Sequence, residues 1–209
     1  MKTNLKFFKK FKILPIDKFF QNVLYDKKYG YYASKYPFGK KGDFTTSPKI
    51  SSLFSEIIAI WIVASWEIFG KPKKFNIVEL GPGDGSLTKI LLNTFKKFSK
   101  FNISKKVFLY EKSSYLKKIQ KKNILDNEVK WIKNFNNIKG GPIVFFGNEF
   151  FDAIPIKQFK KIKGSYFEKN YLIKKNNEII EIFKKVSKNN LKMIQSFKTL
   201  KDLNFIEFP

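Results

Sequence analysis

Glu79-Leu80-Gly81-Pro82-Gly83-Asp84-Gly85-Ser86-Leu87 is the stretch on which the reading of this chain turns. A short apolar run, Phe75–Leu80, leads into it. Leu87, Ile90, Leu91 and Thr94 then recur at helical spacing within Ser86–Phe98. Strand, glycine turn and helix follow one another with no spare residue between them. Glycine there lets backbone come close to a ligand, and the helix start offers N–H groups with no partner in the helix. The spacing is G-x-G-x-G, so the third glycine of the dinucleotide fingerprint G-x-G-x-x-G is missing from its place. The same residues also suit a tight strand-to-helix turn that binds nothing.

Working outward, Lys106–Tyr110 reads as a second strand closed by Glu111. Ser113 can cap a helix running through about Lys122. Val129–Ile132 is a third strand, Gly140-Gly141-Pro142 a turn, and Ile143–Gly147 a fourth strand. Strands alternating with helices predict an α/β fold of the doubly wound, mostly parallel, Rossmann-like kind. Upstream, Asp17 can cap a short helix carrying Phe19, Phe20, Val23 and Leu24, an aromatic and glycine-rich loop spans Tyr29–Pro48, and Leu53–Phe69 reads as a buried helix. Beyond Pro155, Lys157–Lys163, Tyr166–Ile173 and Glu178–Lys184 alternate polar with apolar, which predicts an antiparallel meander. Asn189–Lys201 is weakly helical. The expected organisation is an N-terminal helical cap with a covering loop (1–72), a nucleotide-binding core (73–155), and a meander opening a substrate region (156–209).

Composition removes several chemistries. The 209 residues contain neither Cys nor His, which excludes zinc centres, disulfides and His-dependent triads, and no metal site is expected. The net charge of +25 invites a polyanion partner, yet all 42 basic residues are Lys and none is Arg, the residue that grips phosphates and guanine edges bidentately. Crowding with Phe, Ile and Asn points to a drift of composition, so nucleic acid is a permitted partner but not the favoured one. The most apolar stretch, Ile57–Trp66, is far shorter than the ~20 residues of a membrane span.

The chemistry-bearing residues lie at strand ends. An acid ahead of the glycines, Glu79, suits a ligand with a cationic amino-acid end and no pyrophosphate. S-adenosylmethionine (SAM) has such an end, an ammonium group, beside its sulfonium. Glu111, ending the second strand, stands where doubly wound folds place an acid on ribose hydroxyls, or is an ordinary Glu beside Lys112. Trp131 either lies against adenine or fills core space. Asn148, Glu149 and Asp152 follow the fourth strand, where carboxylates could hold a cationic nitrogen nucleophile or could simply cap the next segment.

Three segments together carry a resemblance: PFGKKGDFTTSPKIS (Pro37–Ser51), ELGPGDGSL (Glu79–Leu87) and NEFFDAIPIKQF (Asn148–Phe159). In order and spacing they are similar to the signature segments of the MidA-like family of class I SAM-dependent methyltransferases, and Ile13–Tyr32 resembles that family's N-terminal region. The resemblance implies SAM as cofactor and a protein arginine as methyl acceptor. In mitochondrial members it implies symmetric dimethylation of a respiratory complex I subunit during assembly. It implies Gly81, Gly83 and Gly85 at the cofactor loop, Glu79 at the amino-acid end and Glu111 at the ribose. It further implies Asp43, Thr45, Thr46 and Ser47 folded over the cofactor, and Asn148, Glu149 and Asp152 facing the acceptor. Lys49, Ser55 and Asp84 depart from the family pattern.

Family members continue past the position of Pro209, so an incomplete sheet is expected: the chain is a fragment, or its remainder is encoded elsewhere and acts in trans, or it is degenerate. The run Ile143-Val144-Phe145-Phe146 is too apolar for a free edge, which predicts an aggregation-prone chain. The implied compartment is the cytoplasm for a bacterial chain and the mitochondrial matrix for a eukaryotic one. Three rival functions stand beside arginine methylation: an RNA methyltransferase, an NAD(P) dehydrogenase, which the glycine spacing disfavours, and a non-catalytic assembly factor.

Overall fold

A computed structural model describes residues 13–26, 28–34, 51–125, 128–174, 178–200 and 203–208. The elements run β1 (Ile13–Pro15), α1 (Ile16–Tyr25), α2 (Tyr31–Ser34), α3 (Ser52–Ile68), β2 (Phe75–Leu80), α4 (Ser86–Phe95), α5 (Ser99–Ser104) and β3 (Lys105–Tyr110). They continue through α6 (Ser114–Asn123), β4 (Lys130–Ile132), β5 (Ile143–Phe146), β6 (Lys157–Ile162), β7 (Ser165–Ile173), β8 (Ile179–Lys185), α7 (Lys188–Ser196) and β9 (Phe205–Phe208). Contacts divide the chain into two compact units, one formed by Met1–Tyr31 with Ala153–Pro209, the other by Tyr32–Asp152.

The second unit holds a parallel sheet in the order β4-β3-β2-β5. Leu80 lies opposite Tyr110 across β2 and β3, and Glu79 opposite Phe146 across β2 and β5. The chain therefore lays β3 and β4 to one side of β2 and then returns to place β5 on the other. The strand order reverses between β2 and β5, the position where open α/β sheets form a ligand crevice beyond their carboxyl ends. This is the expected class I, Rossmann-like architecture. One face is packed by Ile62, Trp66, Leu91, Phe95 and Phe101 against Phe75, Ile77, Val107 and Leu109. Phe101 contributes edge-on ring contacts to Trp66, Phe75 and Phe95. The opposite face carries the smaller cluster of Val78, Phe108, Ile132 and Ile138. β5 pairs only with β2 among the described residues, and Ile143 and Phe145 on it are exposed.

The first unit is antiparallel, as expected of the meander: β6, β7 and β8 pair in succession. Two partners of this sheet were not foreseen. β1 pairs with β7, and β9 pairs with β6. Phe159, Tyr166, Ile194 and Ile206 form its core. Lys157 bridges Asp17 on α1 (3.3 Å) and Glu168 on β7 (2.9 Å), tying helix to sheet.

Local expectations need three corrections. Asp17 is not the cap of α1: the helix begins at Ile16 behind Pro15, and Asp17 sits in its first turn, where a carboxylate favours the positive end of the helix dipole. α3 is capped by Ser51, whose side chain accepts from the Leu53 N–H, but the helix is not buried all round. Ser55, Ala59, Ile62, Val63 and Trp66 face the core, whereas Leu53, Ile57, Ile60, Trp61 and Ile68 are exposed. Finally, the helix expected over Ser86–Phe98 ends at Phe95 and a separate α5 follows it.

Candidate functional site

The glycine loop leaves β2 at the switch point. Gly81, Gly83 and Gly85 all take positive φ (62°, 57° and 83°), a region that L side chains enter only at a cost. The Gly81 N–H donates to the Tyr110 carbonyl (3.0 Å), which fastens the loop to the end of β3, and the Gly85 N–H donates to the Pro82 carbonyl (2.8 Å). A Cβ on Gly85 would stand 2.8 Å from the Ile124 Cδ1, and one on Gly81 2.7 Å from the Phe150 Cδ2. Asp84 is buried, and its Oδ1 accepts from the Ser86 N–H and hydroxyl at 3.1 and 2.6 Å.

Glu79, the penultimate residue of β2 before this loop, is only 3% exposed. Its Oε2 accepts from the Thr88 hydroxyl. Burial pushes the carboxyl up to about 7, the charges of Asp84 and Glu111 add to the rise, and the Thr88 bond opposes it. Among the described residues no ion pair reaches Glu79. A desolvated carboxyl whose charged form has no cation to offset it is one that a cationic ligand would stabilise as the anion.

Glu111 follows β3 and is nearly as buried. Its Oε1 accepts from the Ser113 N–H (2.8 Å) and its Oε2 from the Gln120 carboxamide (3.2 Å). Burial raises this carboxyl, while those two bonds, the Lys112 N–H and the Lys117 charge pull the other way. The orientation of Glu111 is thus set by the start of α6, where Ser113 is the cap residue and its side chain accepts from the Leu116 N–H (3.2 Å). Trp131 is half-buried against the main core, and its indole N–H donates to the Gln120 Oε1 (2.8 Å).

On the β5 side, Gly147 brings the chain so near β2 that a Cβ there would lie 2.9 Å from the Leu80 carbonyl oxygen. Asn148 is half-buried, while Glu149 and Asp152 are exposed. Glu149 has φ 53°, a strained value for a residue with a side chain, worth about 1 kcal/mol. Asp43, Thr45, Thr46 and Ser47 lie outside the described residues. The structure therefore brings Glu79, the three glycines and Glu111 to one end of the sheet, with Asn148, Glu149 and Asp152 on the neighbouring strand end.

Two residues escaped the sequence reading. Tyr32 has its hydroxyl raised by burial first and then by the charges of Glu111, Glu149 and Asp152, so one phenol lies within electrostatic reach of three candidate carboxylates. The aromatic cluster Tyr29–Tyr32 was visible, but nothing in its spacing singled out Tyr32. Gln120 is the second, a fully buried carboxamide inside a lysine-rich helix. Its clue was a polar residue four positions after Leu116, on the face that periodicity assigns to the core. Among the described residues there is no cluster of acids or other ligands able to hold a metal ion, and no helix long and apolar enough to cross a membrane.

A left-handed glycine loop with buried carboxylates thus stands at the switch point of a parallel sheet, in a fold of the class I methyltransferase kind. Residues 57–207 match the family described as "Putative S-adenosyl-L-methionine-dependent methyltransferase", and the chain belongs to that family. It is 31% identical to the mitochondrial protein arginine methyltransferase NDUFAF7 of Xenopus laevis, over 74% of this chain and 41% of that protein. The human protein of that name is 30% identical over the same shares. The chain thus spans about two-fifths of the length of these curated relatives. Among solved structures, a "likely methyl transferase" from Burkholderia thailandensis bound to S-adenosyl-homocysteine superposes with a TM-score of 0.71 at 21% identity, covering 90% of this chain and 50% of that one.

Proposed function

We propose that this chain forms the cofactor-binding part of a SAM-dependent methyltransferase that modifies an arginine nitrogen of a protein. The observation that carries the reading is Glu79, a buried acid without an ion-pair partner among the described residues, beneath three left-handed glycines at the switch point. The residues present fit the cofactor: the donor set is carboxylate and backbone, suited to ammonium and ribose hydroxyls and unsuited to a pyrophosphate. In this assignment Glu79 stands by the amino-acid end, Gly81, Gly83 and Gly85 form the loop, and Glu111 takes the ribose hydroxyls. Asp43, Thr45, Thr46 and Ser47 cover the cofactor, and Trp131 borders the adenine side.

When bound, SAM supplies a methyl group already activated by its sulfonium, so little covalent work remains for the protein. Catalysis then rests on positioning and electrostatics. Asn148, Glu149 and Asp152 orient the acceptor guanidinium by charge-assisted hydrogen bonds. A free guanidinium stays protonated at neutral pH, so one of these carboxylates also receives or relays the proton that the attacking nitrogen must lose. The mitochondrial protein arginine methyltransferases among the relatives support a protein acceptor and, for a eukaryotic version, a mitochondrial compartment; a respiratory-complex subunit as acceptor and the matrix as its place are what the family resemblance implies.

The test is calorimetric titration with S-adenosyl-homocysteine, followed by incubation with methyl-labelled SAM and cell protein and acid hydrolysis. Binding and label in symmetric dimethylarginine are expected. Absence of binding, or label confined to other amino acids or to RNA, would overturn the reading.

A further inference from the structure

Gln120 is fully buried on α6, where an aliphatic side chain would pack at lower desolvation cost. Every donor of its carboxamide is used. The Nε2 group donates to the Gly83 carbonyl at 2.8 Å and to the Glu111 Oε2 at 3.2 Å, and the Oε1 accepts from the Trp131 indole N–H at 2.8 Å. The amide cannot be flipped: the indole only donates, and the carbonyl and carboxylate only accept. One side chain therefore touches the glycine loop, the acid after β3 and the aromatic residue of β4. Asn123, on the next turn of the same helix, adds a bond from its Nδ2 to the Asp84 carbonyl (2.8 Å), and Ile124 packs under Gly85. With the Gly83 carbonyl turned toward Gln120, the Asp84 N–H of that trans peptide points the opposite way.

We infer that Gln120 is the positioning residue of the cofactor site, locking the loop, the ribose acid and Trp131 into one geometry from beneath. The inference rests on the proposed function and adds to it the residue on which ribose recognition depends. A carboxylate held at both oxygens, by the Ser113 N–H and by Gln120, has its remaining lone pairs fixed in direction. A pair of vicinal hydroxyls can use that arrangement. Without Gln120, the Glu111 carboxylate loses its one side-chain hydrogen bond among the described residues and is held only by the backbone N–H groups of Ser113 and Lys112, so it can turn, and discrimination between ribose and deoxyribose falls along with affinity.

The experiment compares S-adenosyl-homocysteine with its 2′-deoxy analogue by calorimetry on the full chain, Gln120→Met and Gln120→Glu, with thermal melts alongside. The parent should prefer the ribo ligand about tenfold, as expected for one charge-assisted hydrogen bond. Gln120→Met should lose at least about tenfold in affinity and most of that preference. Gln120→Glu keeps the length and the acceptor for Trp131 but turns an acceptor toward Gly83 and Glu111. Measured relative to the parent at each pH, which cancels the titration of Glu79 common to both, its affinity should recover as pH falls and the new carboxyl gains a proton to donate. If the parent binds neither ligand, the proposed function falls and this assignment with it. If the parent binds and Gln120→Met keeps the ribo preference, Gln120 is merely structural and only this inference is overturned. Should Gln120→Met not fold, a ratio of Gln120→Glu to parent affinity that stays constant with pH overturns it equally.

Discussion

Replacing Glu79 with Gln probes the electrostatics of the crevice directly. The Glu79 carboxyl gives up its proton at about 7 in the fold against an ordinary value of 4.5. At 1.36 kcal/mol per tenfold in proton affinity, ionising it in the folded apoprotein costs on the order of 3 kcal/mol. The sign follows from linkage. Between pH 4.5 and 7 the folded chain holds a proton that the unfolded chain has released, so stability falls as pH rises through that window and levels off above it. Glu79→Gln removes this titration while keeping an oxygen for the Thr88 hydroxyl. The variant should match the parent at pH 4.5 and exceed its unfolding free energy by about 1–3 kcal/mol at pH 8, the lower figure allowing for the new N–H₂ group. Its cofactor response should run the other way. A cationic ligand lowers the carboxyl's proton affinity, so at pH 6 the parent should release a proton on binding S-adenosyl-homocysteine, whose ammonium it retains. Titration in buffers of different ionisation enthalpy measures that proton. The variant should release none and bind about tenfold or more weakly at pH 8. A parent whose urea stability is flat from pH 5 to 8, or a variant with unchanged affinity and proton release, would refute the reasoning.

Other outcomes follow from the same geometry. Gly83→Val, at φ 57°, forces a β-branched side chain into the left-handed region and should abolish SAM binding in calorimetry; affinity equal to the parent's removes the loop from the site. Glu111→Ala gives up bonds worth ~1.5–3 kcal/mol each before solvent compensation, so cofactor affinity should drop at least about tenfold, and equal affinity would end the ribose assignment. Phe101→Ala removes a fully buried ring that meets Trp66, Phe75 and Phe95, and should cost about 3–5 kcal/mol in chemical denaturation. Phe145→Lys, on the outer edge strand, should lower concentration-dependent light scattering with little change in melting temperature. Unchanged scattering would show that this edge does not drive association.

The sequence by itself determined what is local. Strand, glycine turn and helix are contiguous over Phe75–Phe95, so the loop, Glu79 and the α/β alternation could be read from periodicity and residue type. Ser113 stood out as a cap and Glu111 as a strand-ending acid for the same reason. The meander was legible because alternation within Tyr166–Ile173 needs no distant partner to be visible. Tertiary structure decided what depends on residues far apart in the chain. β9 carries only four residues, Phe205–Phe208, and becomes a strand because the edge of β6 accepts it. β1 is shorter still and is held by β7. The apolar sequence of α3 looks the same on every side, so only packing chose which face enters the core and which stays exposed. Within the site, the three bonds of Gln120 join residues 83, 111 and 131, and the raised Tyr32 hydroxyl reflects carboxylates 79 to 120 positions later. Periodicity records which face of an element is apolar. It contains no term for which distant polar atoms will meet there, and a buried hydrogen-bond hub is set by that encounter.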